Sequence, residues 1–149
     1  MEKRVIEAFM ADRRVAVAGA SADERKFGHA LVVELGNKGW EVFPVNPKGG
    51  EIAGRKCATS VDTLPPGVEN LIVAVPAAAS AALVEGISNP SIKRLWFLKG
   101  ARSAAASAAA RRKGYEVVEG RCPLMFLGPV DGAHAFHRFF LRLFGRMPA

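Results

Sequence analysis

The chain has 149 residues, half of them hydrophobic and 23% charged, with 21 Lys and Arg against 14 Asp and Glu for a formal net charge of +7. That length holds one domain with a substantial core and excludes a nucleotide-binding domain plus a separate catalytic one. No apolar run approaches the roughly 20 residues of a membrane span. A basic balance favours an anionic partner: nucleic acid, an anionic membrane surface or a phosphorylated small molecule. The cations are scattered, as at Arg13-Arg14, Arg25-Lys26, Lys93-Arg94 and Arg111-Arg112-Lys113, rather than bunched as on a nucleic-acid face. Cys57 and Cys122 give neither a disulfide framework nor a CxxC pair, and Met1 to Glu7 carries no signal-peptide core, so the expected location is the reducing cytoplasm.

In chain order, the pattern predicts a helix over about Glu2 to Ala11 and then five short strands, Val15 to Ala18, Val42 to Val45, Leu71 to Val75, Leu95 to Leu98 and Tyr115 to Val118. These runs are β-branched or aromatic and too short for helices. Helices are expected over His29 to Lys38, Ala77 to Ile87 and Ala101 to Lys113, with Gly39 and Gly114 as C-terminal stops. The connection from Asn46 to Asn70 is irregular, rich in Pro and Gly, and holds at most a turn of helix around Val61 to Leu64. A last helix over about Ala133 to Phe144 closes the chain. Strands apolar on both faces that alternate with helices predict an α/β fold, a doubly wound five-stranded parallel sheet. The expected strand order is 3-2-1-4-5, with the topological switch point between strands one and four, and ligand binding at the carboxyl edge there.

The loop after strand one, Gly19-Ala20-Ser21, suits a phosphate. Gly19 turns without a Cβ, Ala20 lets backbone approach, Ser21 offers a hydroxyl and an N–H, and the next helix brings its positive end. The same residues also make an ordinary strand-to-helix turn. Plain NAD is disfavoured because Ser21 stands where GxGxxG needs a second glycine, and strand two ends in Val45-Asn46-Pro47-Lys48 with no acidic residue for ribose hydroxyls. A lysine there suits a phosphate, so NADP stays open.

Five stretches, in order, carry a resemblance: "VAVAGAS" (Val15 to Ser21), "GWEVFPVNPKGGEIAGRKC" (Gly39 to Cys57), "VAVPA" (Val73 to Ala77), "LWFLKG" (Leu95 to Gly100) and "EGRCP" (Glu119 to Pro123). The chain resembles the small stand-alone CoA-binding proteins of Rossmann-like fold, and the CoA-binding N-terminal domain of the succinyl-CoA synthetase α-subunit and of ADP-forming acyl-CoA synthetases. The resemblance implies one CoA-binding domain over 1–149, with a core of about 13–123 and a C-terminal helical extension of about 131–146. It implies the CoA diphosphate at Gly19-Ala20-Ser21 with Lys26 nearby. Asn46-Pro47-Lys48 would lie by the nucleotide end, Val75-Pro76 near the adenosine, and Phe97-Leu98-Lys99 along the pantetheine path. Many relatives carry glutamine or another neutral residue where this chain has Lys99. CoA brings about four negative charges, which helix-terminal N–H groups and one or two cations are suited to receive.

The ligand expected is therefore coenzyme A or an acyl-CoA, bound without catalysis. A second reading is an NADP-dependent oxidoreductase or redox sensor; a third is a nucleic-acid-associated protein. The chain has no GxSxG elbow, HExxH helix or Walker lysine motif, and His29, His134 and His137 fall on helices outside any catalytic frame. Cys122, between Arg121 and Pro123 at the ligand edge, is a candidate thiol whose neighbouring cation would favour the thiolate, and a mixed disulfide with the CoA thiol is chemically open to it. An inert packed thiol is the alternative. The last predicted helix sets Phe136, Phe139, Phe140, Leu143 and Phe144 on one stripe against His137, Arg138, Arg142 and Arg146. It reads as a helix docked on its own sheet or on a second copy of the chain, the membrane surface being the other reading.

Overall fold

The structure, a computed structural model, describes residues 2–126. The predicted C-terminal helix, with His134 and His137, lies outside the described residues. Five parallel strands form the central sheet: β1 (Arg14–Ala18), β2 (Glu41–Val45), β5 (Asn70–Val73), β6 (Arg94–Phe97) and β7 (Glu116–Glu119). A small antiparallel pair, β3 (Glu51–Ile52) and β4 (Arg55–Lys56), stands apart from it. The helices are α1 (Glu2–Asp12), α2 (Phe27–Asn37), α3 (Ala77–Glu85) and α4 (Ala104–Arg112).

Period-two alternation divides the core into two layers. Val15, Val17, Ile72 and Trp96 face the side covered by α1 and α2, where Phe9, Leu31 and Leu35 meet them. Ala16, Ala18, Leu71, Val73, Leu95 and Phe97 face α3 and α4, whose Val84, Ala106, Ala109 and Ala110 close the other side. Small side chains on α4 allow it to lie close to the sheet. Trp96 anchors the first layer: its ring meets Phe9 edge-on at 5.1 Å and Phe126 at 5.6 Å, and its indole N–H donates to the Arg121 carbonyl at 2.8 Å.

The fold class is as expected, but the strand order is not. The sheet runs β2-β1-β5-β6-β7, which in the count of predicted strands is 2-1-3-4-5 rather than 3-2-1-4-5. The reason lies at the outer edge of β2. Odd residues of this strand bond to β1, through Glu41 N–H to Arg13 and Gly19 N–H to the Val45 carbonyl, so Pro44 faces outward. There its carbonyl accepts Ala58 N–H at 2.9 Å, and Asn46 N–H donates to the Ala58 carbonyl at 2.9 Å. The connection thus covers the edge itself, and Pro44 has no N–H with which to pair a further strand. The third predicted strand crosses over β1 and inserts on its other side. The switch point moves with it, from between strands one and four to between β1 and β5.

The irregular connection also holds what the sequence reading lacked. Ala53 and Gly54 both take positive φ, 49° and 76°, and turn β3 into β4 as a two-residue hairpin whose Ile52 is 2% exposed. The expected helical turn is a 3₁₀ turn at Val61–Thr63. Helix α4 starts three residues later than expected, at the Ser103 cap, because Lys99–Ala101 form a separate 3₁₀ turn.

At the opposite, amino-terminal edge, Asn70 is fully buried. Its Nδ2 donates to the Phe9 carbonyl at 3.0 Å, and its Oδ1 accepts from Arg94 Nη1 at 2.9 Å, joining α1 to β5 and β6. Replacement by alanine strands both partners in the interior. Asn70→Ala is therefore expected to cost about 2 kcal/mol in urea unfolding; a loss near zero would mean that α1 is held by its apolar face alone.

Candidate functional site

Two strand ends and two helix starts meet at the β1/β5 switch point. Ala74 N–H donates to the Ala18 carbonyl at 2.7 Å, which keeps the two chains side by side as they leave the sheet. Gly19 then turns with φ +95°, and a Cβ on it would stand 2.6 Å from the Ala74 carbonyl carbon and 2.8 Å from Val75 N. Only glycine fits. A second glycine is equally constrained: a Cβ on Gly28, in the first turn of α2, would lie 2.3 Å from the Gly19 carbonyl oxygen. Gly28 is not among the residues expected at the site, and the sequence signal for it is only a glycine just before the predicted helix.

Side chains from two directions fasten the loop. Asn46 Nδ2 donates to the Ala20 carbonyl at 2.8 Å, while Asn46 Oδ1 accepts Lys48 N–H at 2.9 Å. His29 Nδ1 meets the Ser21 carbonyl at 2.9 Å. Ser21 Oγ accepts Asp23 N–H at 3.0 Å, which leaves the hydroxyl proton as a donor. The Asp23 carboxylate in turn takes Arg25 N–H, Nε and Nη2, each at 3.0 Å. The Arg25 side-chain hydrogen bond holds that carboxyl down at about 2.

The helix ends differ in a telling way. Helix α4 is capped by Ser103, whose hydroxyl accepts Ala106 N–H at 3.0 Å. Helices α2 and α3 start at Lys26 and Pro76, and neither residue supplies a side-chain cap. Both of these helix starts follow the two strands that flank the switch point, so the positive ends of two helix dipoles lie beside it.

The expected residues fall into three groups. Gly19, Ala20 and Ser21 are brought into contact with Asn46 by its hydrogen bond and with Val75 by backbone packing. Ala20 is 1% exposed, so it contributes backbone. Lys26, Pro47, Lys48 and Pro76 are exposed around this centre. The segment after β6 is tied to it: Leu98 N–H donates to the Val73 carbonyl at 3.2 Å, and the buried Ser80 hydroxyl donates to the Ala101 carbonyl at 2.6 Å. Lys99 is exposed there, but the Phe97 and Leu98 side chains are packed in the core and shape the rim from beneath. Cys122 lies past β7, two strands away from β5. Its thiol does not have the expected cation. Arg121 is turned to the Glu2 carboxylate, and burial pushes the Cys122 thiol up from its ordinary value despite hydrogen bonds from Leu124 and Met125 N–H. Among the described residues, no three His, Cys, Asp or Glu side chains gather to hold a metal ion.

A family model described as a CoA binding domain matches residues 13–128, the span that builds this sheet and rim. The chain belongs to this CoA-binding family. Its resemblance extends to ADP-forming acetate–CoA ligases: the α-subunit of form I from Pyrococcus furiosus is 37% identical over 94 residues, 59% of this chain and 20% of the relative. The enzyme of Methanocaldococcus jannaschii is 26% identical over 117 residues, 78% of this chain and 16% of the relative. The chain thus spans a fifth or less of the length of these curated relatives. Among solved structures, a conserved hypothetical protein from Pyrococcus furiosus superposes with a TM-score of 0.70 at 36% identity, covering 74% of this chain and 95% of the other. A hypothetical protein from Pyrococcus horikoshii does so with a TM-score of 0.74 at 28% identity, covering 83% and 87%. Membership of a CoA-binding family leaves the NADP reading without support.

Two outcomes follow for this CoA-binding fold. Gly19→Ala forces apart backbones that cannot yield, so chemical denaturation should show a loss of about 2–4 kcal/mol. A raised thiol pKa means less thiolate at any given pH. Alkylation of Cys122, followed by mass spectrometry, should be slower than that of free cysteine at neutral pH and still be rising above the ordinary value of 9.0.

Proposed function

We propose that the protein binds coenzyme A or an acyl-CoA across the carboxyl rim of its sheet and does so as a binding module without catalysis of its own. The diphosphate lies on the Gly19-Ala20-Ser21 loop and the start of α2, with Lys26 beside it. The nucleotide end lies between Asn46-Pro47-Lys48 and Val75-Pro76. The pantetheine arm runs past Phe97-Leu98-Lys99, where Gly100 leaves room. The observation that carries this reading is the glycine turn wedged between two strand ends, with an uncapped helix start on each side of it. An adenylated thiol carrier supplies phosphates for those donors and a long arm for the rim.

The ligases that resemble this chain are at least five times as long as the stretch that aligns with it. The CoA-binding core of about 13–123 serves as one domain here, with a small molecule as its partner. Free Cys57 and Cys122 suit a reducing, cytoplasmic setting.

Calorimetry with CoA, dephospho-CoA and NADPH tests the reading: the first two should saturate and NADPH should not. Lys48 is exposed at the nucleotide end and forms no salt bridge among the described residues. If it meets the 3′-phosphate, Lys48→Ala weakens CoA about tenfold and dephospho-CoA within about twofold. Equal losses would move Lys48 to the diphosphate. Clean NADPH binding with no heat from CoA would overturn the reading altogether.

A further inference from the structure

We infer that His29 is a positioning residue of this rim, which works with Asn46 to hold two successive peptide groups of the loop with their N–H groups turned to the phosphates. The inference rests on the reading of the rim as a CoA site. The Ser21 carbonyl can only accept, so the His29 contact at 2.9 Å fixes the proton on Nδ1 and makes the ring the donor. Asn46 Nδ2 donates in the same way to the preceding carbonyl, that of Ala20, at 2.8 Å. No peptide bond among the described residues is cis, so each carbonyl and the N–H that follows it point in opposite directions. Fastening the Ala20 carbonyl therefore aims the Ser21 N–H away from Asn46, and fastening the Ser21 carbonyl aims the Ala22 N–H away from His29.

Among the described residues neither of these N–H groups has an acceptor. Adjacent unpaired amides beside an uncapped helix start are the donor set an oxyanion takes. The two clamps come from different elements, Asn46 from the end of β2 and His29 from the first turn of α2, so the loop is held from both sides. Without them the peptides are free to rotate and offer a carbonyl, which repels a phosphate. Neither side chain has to touch the ligand for this to work, and the ring's Nε2 is not used.

Side-chain amides separate positioning from contact. Asparagine places an N–H where His29 has Nδ1, and glutamine places one where it has Nε2. In calorimetry with CoA, His29→Asn should stay within about twofold of the parent, while His29→Gln and His29→Ala should bind about tenfold more weakly. Retention by Gln with loss in Asn would make His29 a direct phosphate contact and overturn the proposal, as would three variants that all bind like the parent. Should the parent itself fail to bind CoA, the ligand reading falls, and the clamp is decided separately. Nitrogen NMR of the imidazole in ligand-free protein should show the proton on Nδ1; a ring protonated on Nε2 alone sinks the clamp.

Discussion

The rim depends on a contact with no spare room in it. Adjacent strands lie less than 5 Å apart, and β1 must leave the sheet over the end of β5 without colliding with it. It does so through Gly19, whose missing Cβ is the space that Ala74 and Val75 backbone fill. Gly28 extends the same constraint to α2, since the helix approaches the loop closely enough that its own Cβ would sit on the Gly19 carbonyl. Strand order, loop conformation and helix placement are therefore one arrangement. Had the third predicted strand paired outside β2, a different strand end would face Gly19, and Val75-Pro76 would lie far from the loop.

Local pattern was enough for the elements themselves. All five sheet strands and four helices within the described residues fall within a few positions of expectation, because buried parallel strands and Ala-rich helices have strong patterns of their own. Order is a different matter, since it depends on which edges can pair. The information was present in "EVFPV": a proline inside a strand argues for an edge, and the expected order put that strand in the interior. The β3–β4 hairpin was hidden for a related reason. Its turn is Ala53-Gly54, and alanine at positive φ lacks the Asn-Gly or Asp-Gly signature by which such hairpins are read.

At the candidate site, contiguous segments could be singled out from the sequence and tertiary partners could not. Gly19-Ala20-Ser21 and Asn46-Pro47-Lys48 stand out because the chemistry sits in three neighbouring residues. His29 carried no such mark; an isolated histidine on a helix gains meaning only when the fold sets it against the Ser21 carbonyl. Phe97 illustrates the converse. It lies in a rim segment, yet strand alternation turns its side chain fully into the core. For Cys122, a cation next in sequence was not a cation next in space, because Arg121 reaches back to α1 and leaves the thiol to the effect of burial.

The same distinction explains the net charge. Read from composition, a surplus of cations suggests a polyanion-binding surface, but much of it is committed away from the rim. Arg4, Arg14, Lys93 and Arg112 pair with Glu116, Glu41, Glu69 and Glu85, and Lys113 Nζ donates to the carbonyls of Val84, Glu85 and Ile87 at the end of α3. Exposed pairs of this kind add little stability, yet each cancels a cation's field at its own place. Lys26, Lys48 and Lys99 form no salt bridge among the described residues, and each follows a strand end at the carboxyl rim. Because screening confines an exposed charge to about 10 Å, what matters to a ligand is this local remainder. Three such lysines spread singly along one sheet edge are not the continuous track that a nucleic-acid backbone asks for.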